Sequence, residues 1–318
     1  MKRVFWLVFF VIITLAIMFA GCAQHEQKQS TKLQVITSLF PLYDFARTIA
    51  GDKGEVSLLL PPGMEPHSYE PKPDDIMRIR KAGLFIYTNR YMEPWAETLL
   101  KGIDRRKAQV VDAGHGVTYL KAGMDAGHDH VGHSAEEHGS GMDPHIWLDF
   151  GNDRIIVANI LAGFLLADPA NAAYYRANAA GLDAKLEALD QRYQRGLASC
   201  STKVFLHGGH FAFGYMAHRY GLEYHSLSGV SSESEPSASR MTAMVRQIKQ
   251  SGVRYLFAEE LLSPRLTETL AEETGVGVLK IHGAHNLGRD DFKRGVTFIE
   301  LMEKNLNNLQ KGLGCRMK

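Results

Sequence analysis

The sequence predicts an α/β chain of two lobes, each a mostly parallel sheet flanked by helices, joined by a long rigid helix. Three observations lead there. Short apolar runs alternate with helical stretches over residues 33–114, and the alternation resumes over 203–311. Between the two halves, Leu182, Leu186, Leu189, Tyr193 and Leu197 recur at spacings of 4, 3, 4 and 4, which is one face of a helix. The 318 residues are too many for one small core and suit two.

The first lobe is assigned to 33–150. "LQVITSLF" (33–40) reads as a strand and 41–50 as a helix. "EVSLLL" (55–60) is the next strand, followed by a helix over 73–82 that Pro73 can open. "LFIYTN" (84–89) precedes a helix over 93–102, and "QVVDAG" (109–114) is the last strand of this lobe. A linking helical region follows over 151–199. Its first helix, "NDRIIVANILAGFLLA" (152–167), ends at Asp168-Pro169, where Asp can cap and Pro can begin a new helix. From Pro169 to about Gly196 that second helix would be roughly 40 Å long. The second lobe, 200–318, has strand patterns at 203–207, 222–227, 253–258 and 276–281. Helical patterns lie at 210–220, 238–251, 264–274 and 291–311. Strands separated by helices argue for parallel pairing.

Lys2 and Arg3 precede an apolar run from Val4 to Ala20, which spells an export signal too short for a stable membrane span. Cys22, directly after Ala20-Gly21, makes the stretch resemble a bacterial lipoprotein signal. That resemblance implies a signal peptide at 1–21, acylation of the Cys22 thiol, and a polar tether over 22–32. The protein would then be lipid-anchored outside the cytoplasm, in the periplasm or on the outer face of the cell membrane. No later segment is apolar enough to span a membrane. The balance of 36 basic against 35 acidic residues gives no support for a nucleic-acid partner. Outside the cytoplasm, Cys200 and Cys315 can pair in one disulfide or remain two free thiols.

Histidines carry the chemistry. "HDHVGHSAEEHGSGMDPHIWLDF" (128–150) holds five of the chain's 14. His128, His130, His133 and His138 lie in a Gly-rich polar loop over about 121–142 with no apolar period, a compositional signal for metal binding. His145 differs: Pro144 and the Ile-Trp-Leu run beside it suggest a fixed position. In open parallel sheets, ligands bind beyond the carboxyl ends of the strands. His67 follows the strand at 55–60, within the proline-stiffened "PPGMEPHSYEPKP". His210 follows the strand at 203–207 and would open the next helix. His282 ends the strand at 276–281. His207 and His285 are near rivals of His210 and His282. His115, His218 and His225 read as ordinary surface or packing residues.

"PPGMEPHSYEPKP", "DPHIWLDF", "HFAFGYMAHRYGL", "EPSASRMTAMVRQIKQSGVRYLFAEE" and "TGVGVLKI" resemble the ordered motifs of the zinc/manganese ABC-transporter solute-binding proteins, the cluster A-I family. The likeness runs from about residue 33 to 312. It implies a metal held between two α/β lobes, with His67, His145 and His210 as ligands. The family usually places Asp-Pro-Leu after the last strand; here stands His282 followed by Gly-Ala-His, and His282 is assigned as fourth ligand. Manganese members carry Glu at the place of His210. Imidazole suits zinc, while manganese prefers oxygen. The expectation is therefore a non-enzymatic, monomeric binding component of an ABC importer. It would capture Zn2+ and deliver it to the membrane permease and its ATPase, with the His-rich loop gathering zinc beside the site. Mn2+ or Fe2+ is the alternative within this class. A zinc hydrolase using Glu259 or Glu260 as base would lack any H-E-x-x-H motif. An adhesin would lack a distinct adhesive module. Four neutral imidazoles would leave the 2+ charge uncancelled, so a carboxylate is expected behind a ligand, from Glu259, Glu260 or Asp149.

Overall fold

The computed structural model describes residues 32–103, 108–123, 141–230, 236–260 and 264–316. Cys22 and His128, His130, His133 and His138 lie outside the described residues. Strands β1 (Leu33–Thr37), β2 (Gly54–Leu58), β3 (Leu84–Tyr87) and β4 (Gln109–Asp112) form one sheet in the order β2-β1-β3-β4, every pair parallel. Strands β5 (Val204–His207), β6 (Glu223–Ser226), β7 (Tyr255–Glu259) and β8 (Gly277–Ile281) form a second in the order β6-β5-β7-β8, again parallel throughout. The two sheets share one strand order. In each, the order reverses beside the first strand, the point where parallel sheets open a crevice for ligands.

In the first lobe, helices α1 (Phe40–Ala50), α2 (Pro73–Lys81) and α3 (Pro94–Leu100) each begin with a proline in the first turn. There the missing N–H would have no helical partner and the fixed φ is already helical. Helix α4 (Phe150–Ala167) is capped by Asp149, whose side chain accepts from the backbone N–H groups of Gly151 and Asn152. By length and composition α4 could cross a membrane, contrary to the sequence expectation that no later segment could. It is instead packed against α1 and β4, with Ile156, Ile160 and Phe164 fully buried.

Helix α5 (Ala172–Leu197) is the linking helix, 26 residues long and preceded by a 3-10 turn at Pro169–Asn171. Its predicted face is buried from Leu182 to Leu197, and the Tyr193 hydroxyl donates to the Met302 carbonyl at 2.6 Å. The second lobe adds α6 (Gly214–Tyr220), α7 (Ala238–Ser251), α8 (Arg265–Thr274), α9 (Arg289–Arg294) and α10 (Phe298–Gly312). One apolar cluster includes residues of both lobes and α5. Within it Phe298 meets Phe45 and Phe150, and Phe150 meets Tyr193, all edge-on.

Two helix boundaries differ from the sequence pattern. The helix expected over 210–220 starts only at Gly214, because the preceding backbone bonds elsewhere. The Phe211 N–H donates to the Gly229 carbonyl, and the His210 carbonyl accepts from the Tyr224 hydroxyl. The helix expected over 291–311 is two helices, separated at Gly295 with φ 71° and restarted by a Thr297–Glu300 capping box. Cys200 and Cys315 are joined by a disulfide that ties the start of the second lobe to the end of α10.

Candidate metal centre

His67, on the loop after β2, His145, just before the turn leading into α4, and His210, after β5, converge from both lobes. His67 Nε2 lies 3.2 Å from His145 Nε2, and His210 Nε2 lies 3.3 Å from the same atom. The three nitrogens form one group with the spacing of ligands around a single ion. Two of the rings are set by carboxylates. His145 Nδ1 is 2.7 Å from Asp143 Oδ1, and His210 Nδ1 is 2.7 Å from Glu259 Oε2. A proton placed on each Nδ1 leaves each Nε2 with a bare lone pair aimed at the other. Lone pairs facing one another at this distance repel, and a cation between them removes the repulsion.

Burial keeps the imidazoles of His67 and His145 uncharged. It pushes His67 and His145 well below the usual histidine value, and the neighbouring imidazoles push the same way. His285 is lowered to about 3, mainly by burial. At His210 burial also lowers the value, but the Glu259 charge outweighs it and the net shift is upward. Glycine makes this pairing possible: a Cβ on Gly209 would lie 2.7 Å from His207 Cε1 and 3.0 Å from Glu259 Oε2.

His282 is not brought to this group. Its Nδ1 accepts from the Ala284 N–H at 2.8 Å, and its backbone is gripped on both sides by the Asn305 amide. The ring instead lines a separate cavity of about 330 Å³ with Glu260, Lys280, Asp291 and Lys304. His285 takes the nearer place. Its Nε2 is 3.5 Å from Glu259 Oε1, its ring centroid is 5.7 Å from that of His210, and it forms a second ligand-spaced group with His210 and Glu259. Among the described residues, Glu259 Oε1 and His285 Nδ1 are buried without a hydrogen-bond partner, which leaves coordinating capacity unspent beside the trio. Of the two rivals, His285 lies beside the trio and His282 lies away from it. The cause is local: the Ala284 N–H takes one ring nitrogen of His282 and turns the imidazole aside.

Of the carboxylates expected behind a ligand, Glu259 stands there. Glu260 faces the other cavity, and Asp149 caps α4 and pairs with Arg219 at 2.8 Å. Glu259 has one oxygen committed to His210. Sequence reading passed over Asp143, although a carboxylate two residues before a candidate ligand was a usable signal. His207 is buried against the His210 carbonyl and the Tyr224 hydroxyl, through Nδ1 at 3.1 and 3.3 Å, which is a packing role.

Two parallel-sheet lobes meeting at a histidine trio, two of its members fully buried, define a solute-binding protein of the metal-binding class. The chain belongs to the ZnuA family, zinc-uptake complex component A, periplasmic, whose profile matches residues 35–312. It is 34% identical over 313 residues to the high-affinity zinc uptake system protein ZnuA of Bacillus subtilis, covering 97% of this chain and 98% of that one. The Zn(II)-bound ZnuA-like domain of Streptococcus pneumoniae AdcA matches with a TM-score of 0.76 at 33% identity, over 89% of this chain and 99% of that one. The laminin-binding protein Lmb of Streptococcus agalactiae, described as bifunctional with adhesin and metal-transporting activity, matches with a TM-score of 0.77 at 26% identity, over 89% of this chain and 100% of that one.

Proposed function

We propose that this chain is the extracytoplasmic, lipid-anchored component of a zinc ABC importer. It captures Zn2+ at His67, His145 and His210, with His285 completing the site, and passes the ion to a membrane permease driven by its ATPase. The observation that carries this reading is the convergence of three Nε2 atoms, two of them on rings whose opposite nitrogen faces a carboxylate. All-imidazole coordination favours zinc over manganese. Relatives named for zinc uptake and a Zn(II)-bound neighbour point the same way. Cys22 would hold the anchor, and His128, His130, His133 and His138 would gather further zinc.

Competition titration of the purified chain tests the reading. Zinc should bind far more tightly than manganese, and His145→Ala should weaken zinc by about a thousandfold or more, the scale of losing one of four metal bonds. His285→Ala should weaken zinc strongly and His282→Ala should not. Manganese binding as tight as zinc, or a loss confined to His282→Ala, would sink the assignment.

A further inference from the structure

The segment after β8 does more than present His285. Its backbone and one side chain reach across to the first lobe. The Gly283 carbonyl accepts from Trp147 Nε1 at 2.8 Å, the His285 carbonyl accepts from the Phe40 N–H at 3.3 Å, and the Leu287 carbonyl accepts from the Gly63 N–H at 2.7 Å. Asn286, fully buried, donates from Nδ2 to the Pro61 carbonyl at 2.9 Å and to the Met64 carbonyl at 2.7 Å. Its Oδ1 accepts from the Leu287 N–H at 2.8 Å. That last bond settles the amide's orientation, since only the oxygen can face an N–H.

Pro61 and Met64 belong to the loop that carries His67. Between Met64 and His67 stand only Glu65 and Pro66, and the His67 N–H donates to Glu65 Oε1 at 3.1 Å. Proline fixes φ there, so movement at Met64 is passed on to the ligand. His145 and His210 are each steered through the ring by a carboxylate. His67 is seated through its loop instead, and the residue seating it is the neighbour of His285.

We propose that Asn286 is the positioning residue for His67. The segment that brings His285 to the metal site also clamps the ligand loop of the opposite lobe. This rests on the metal-site reading above. Asn286→Asp keeps the shape but replaces the one nitrogen that makes both donations with an oxygen that repels the Pro61 and Met64 carbonyls. Asn286→Ala removes the donors without adding charge.

The test is zinc release from the loaded full chain into excess chelator, followed in stopped flow, with the melting of the zinc-free chain measured alongside. Both Asn286 variants should release zinc about 10- to 100-fold faster than the parent, the range usual for losing a partner that orients a ligand. In a His67→Ala background, Asn286→Ala should add little, because its effect runs through the side chain already removed. Release at the parent rate, or the same acceleration in both backgrounds, overturns the proposal; the second result would mark Asn286 as a general structural bond. Parent-like zinc binding by His67→Ala would bring down the site reading itself, and this proposal with it.

Discussion

In the first lobe Glu93 and Asp143 are buried, and burial pushes both carboxyls up to about 7. In the second lobe Glu259 is buried as deeply, yet it is held well below the usual carboxylate range. Burial pushes Glu259 up as well. There the His210 charge and hydrogen bond, with His285 and His207, outweigh it. Glu93 has only neutral donors around it, from Ser38, Thr88 and Asn89. Asp143 receives the His145 backbone N–H and faces its ring through the same oxygen, while the other oxygen has no partner among the described residues. The contrast shows where the cleft keeps its negative charge. The first lobe brings imidazoles, and the second brings the anion that balances the ion.

The largest effect that would break this contrast lies at Glu93. Its folded value of about 7 stands above its ordinary value of 4.5, so the folded state holds the proton more tightly. The group's stabilising contribution is complete below 4.5 and is lost as pH rises through 7. The shift amounts to about 3 kcal/mol. Urea unfolding of the zinc-free chain at pH 5 and pH 8 should show this decline, and Glu93→Gln should lessen it, leaving the part that Asp143 contributes over the same window. Gln fits because its oxygen can keep the Thr88 and Asn89 N–H groups while its amide donates to the Ser38 and Thr88 hydroxyls. A slope unchanged in the variant would mean that Glu93 does not carry the decline, with Asp143, also raised to about 7, the next to examine.

Next in size is Glu259→Gln, which removes the negative charge behind two imidazoles. Zinc affinity should fall by about 100-fold, the upper end for a partner of this kind. Smallest is Asp143→Asn, at about tenfold or less, because near pH 7 its carboxyl is already partly neutral and only one oxygen is engaged. Both are read by competition titration at pH 7. An Asp143→Asn loss equal to or greater than that of Glu259→Gln would reverse the assignment of charge to the second lobe.

Strand β3 was legible because a parallel strand buried on both faces reads as a continuous apolar run; all four of its residues are buried. The face of α5 was legible from spacing alone. That His67, His145 and His210 would lie together was legible because strand ends and stiff prolines are visible in sequence. The choice between His282 and His285 was not. It depends on the turn through Ala284, a buried non-glycine residue at φ 57°, and no sequence cue marks an alanine for that conformation. Likewise, nothing in "HFAFGYMAHRYGL" tells that its first residues bond to neighbouring loops and delay the helix.

The bond between Cys200 and Cys315 spans a sequence separation of 115 residues and so encloses nearly the whole second lobe in one covalent ring. In a chain-entropy view such a ring stabilises the folded state by about 4 to 5 kcal/mol. That contribution depends on the compartment. A newly made chain in a reducing cytoplasm lacks it and is easier to keep unfolded for threading through a membrane. Once outside, oxidation closes the ring and withdraws the unfolded option, so a redox boundary acts as a one-way valve on the second lobe's folding.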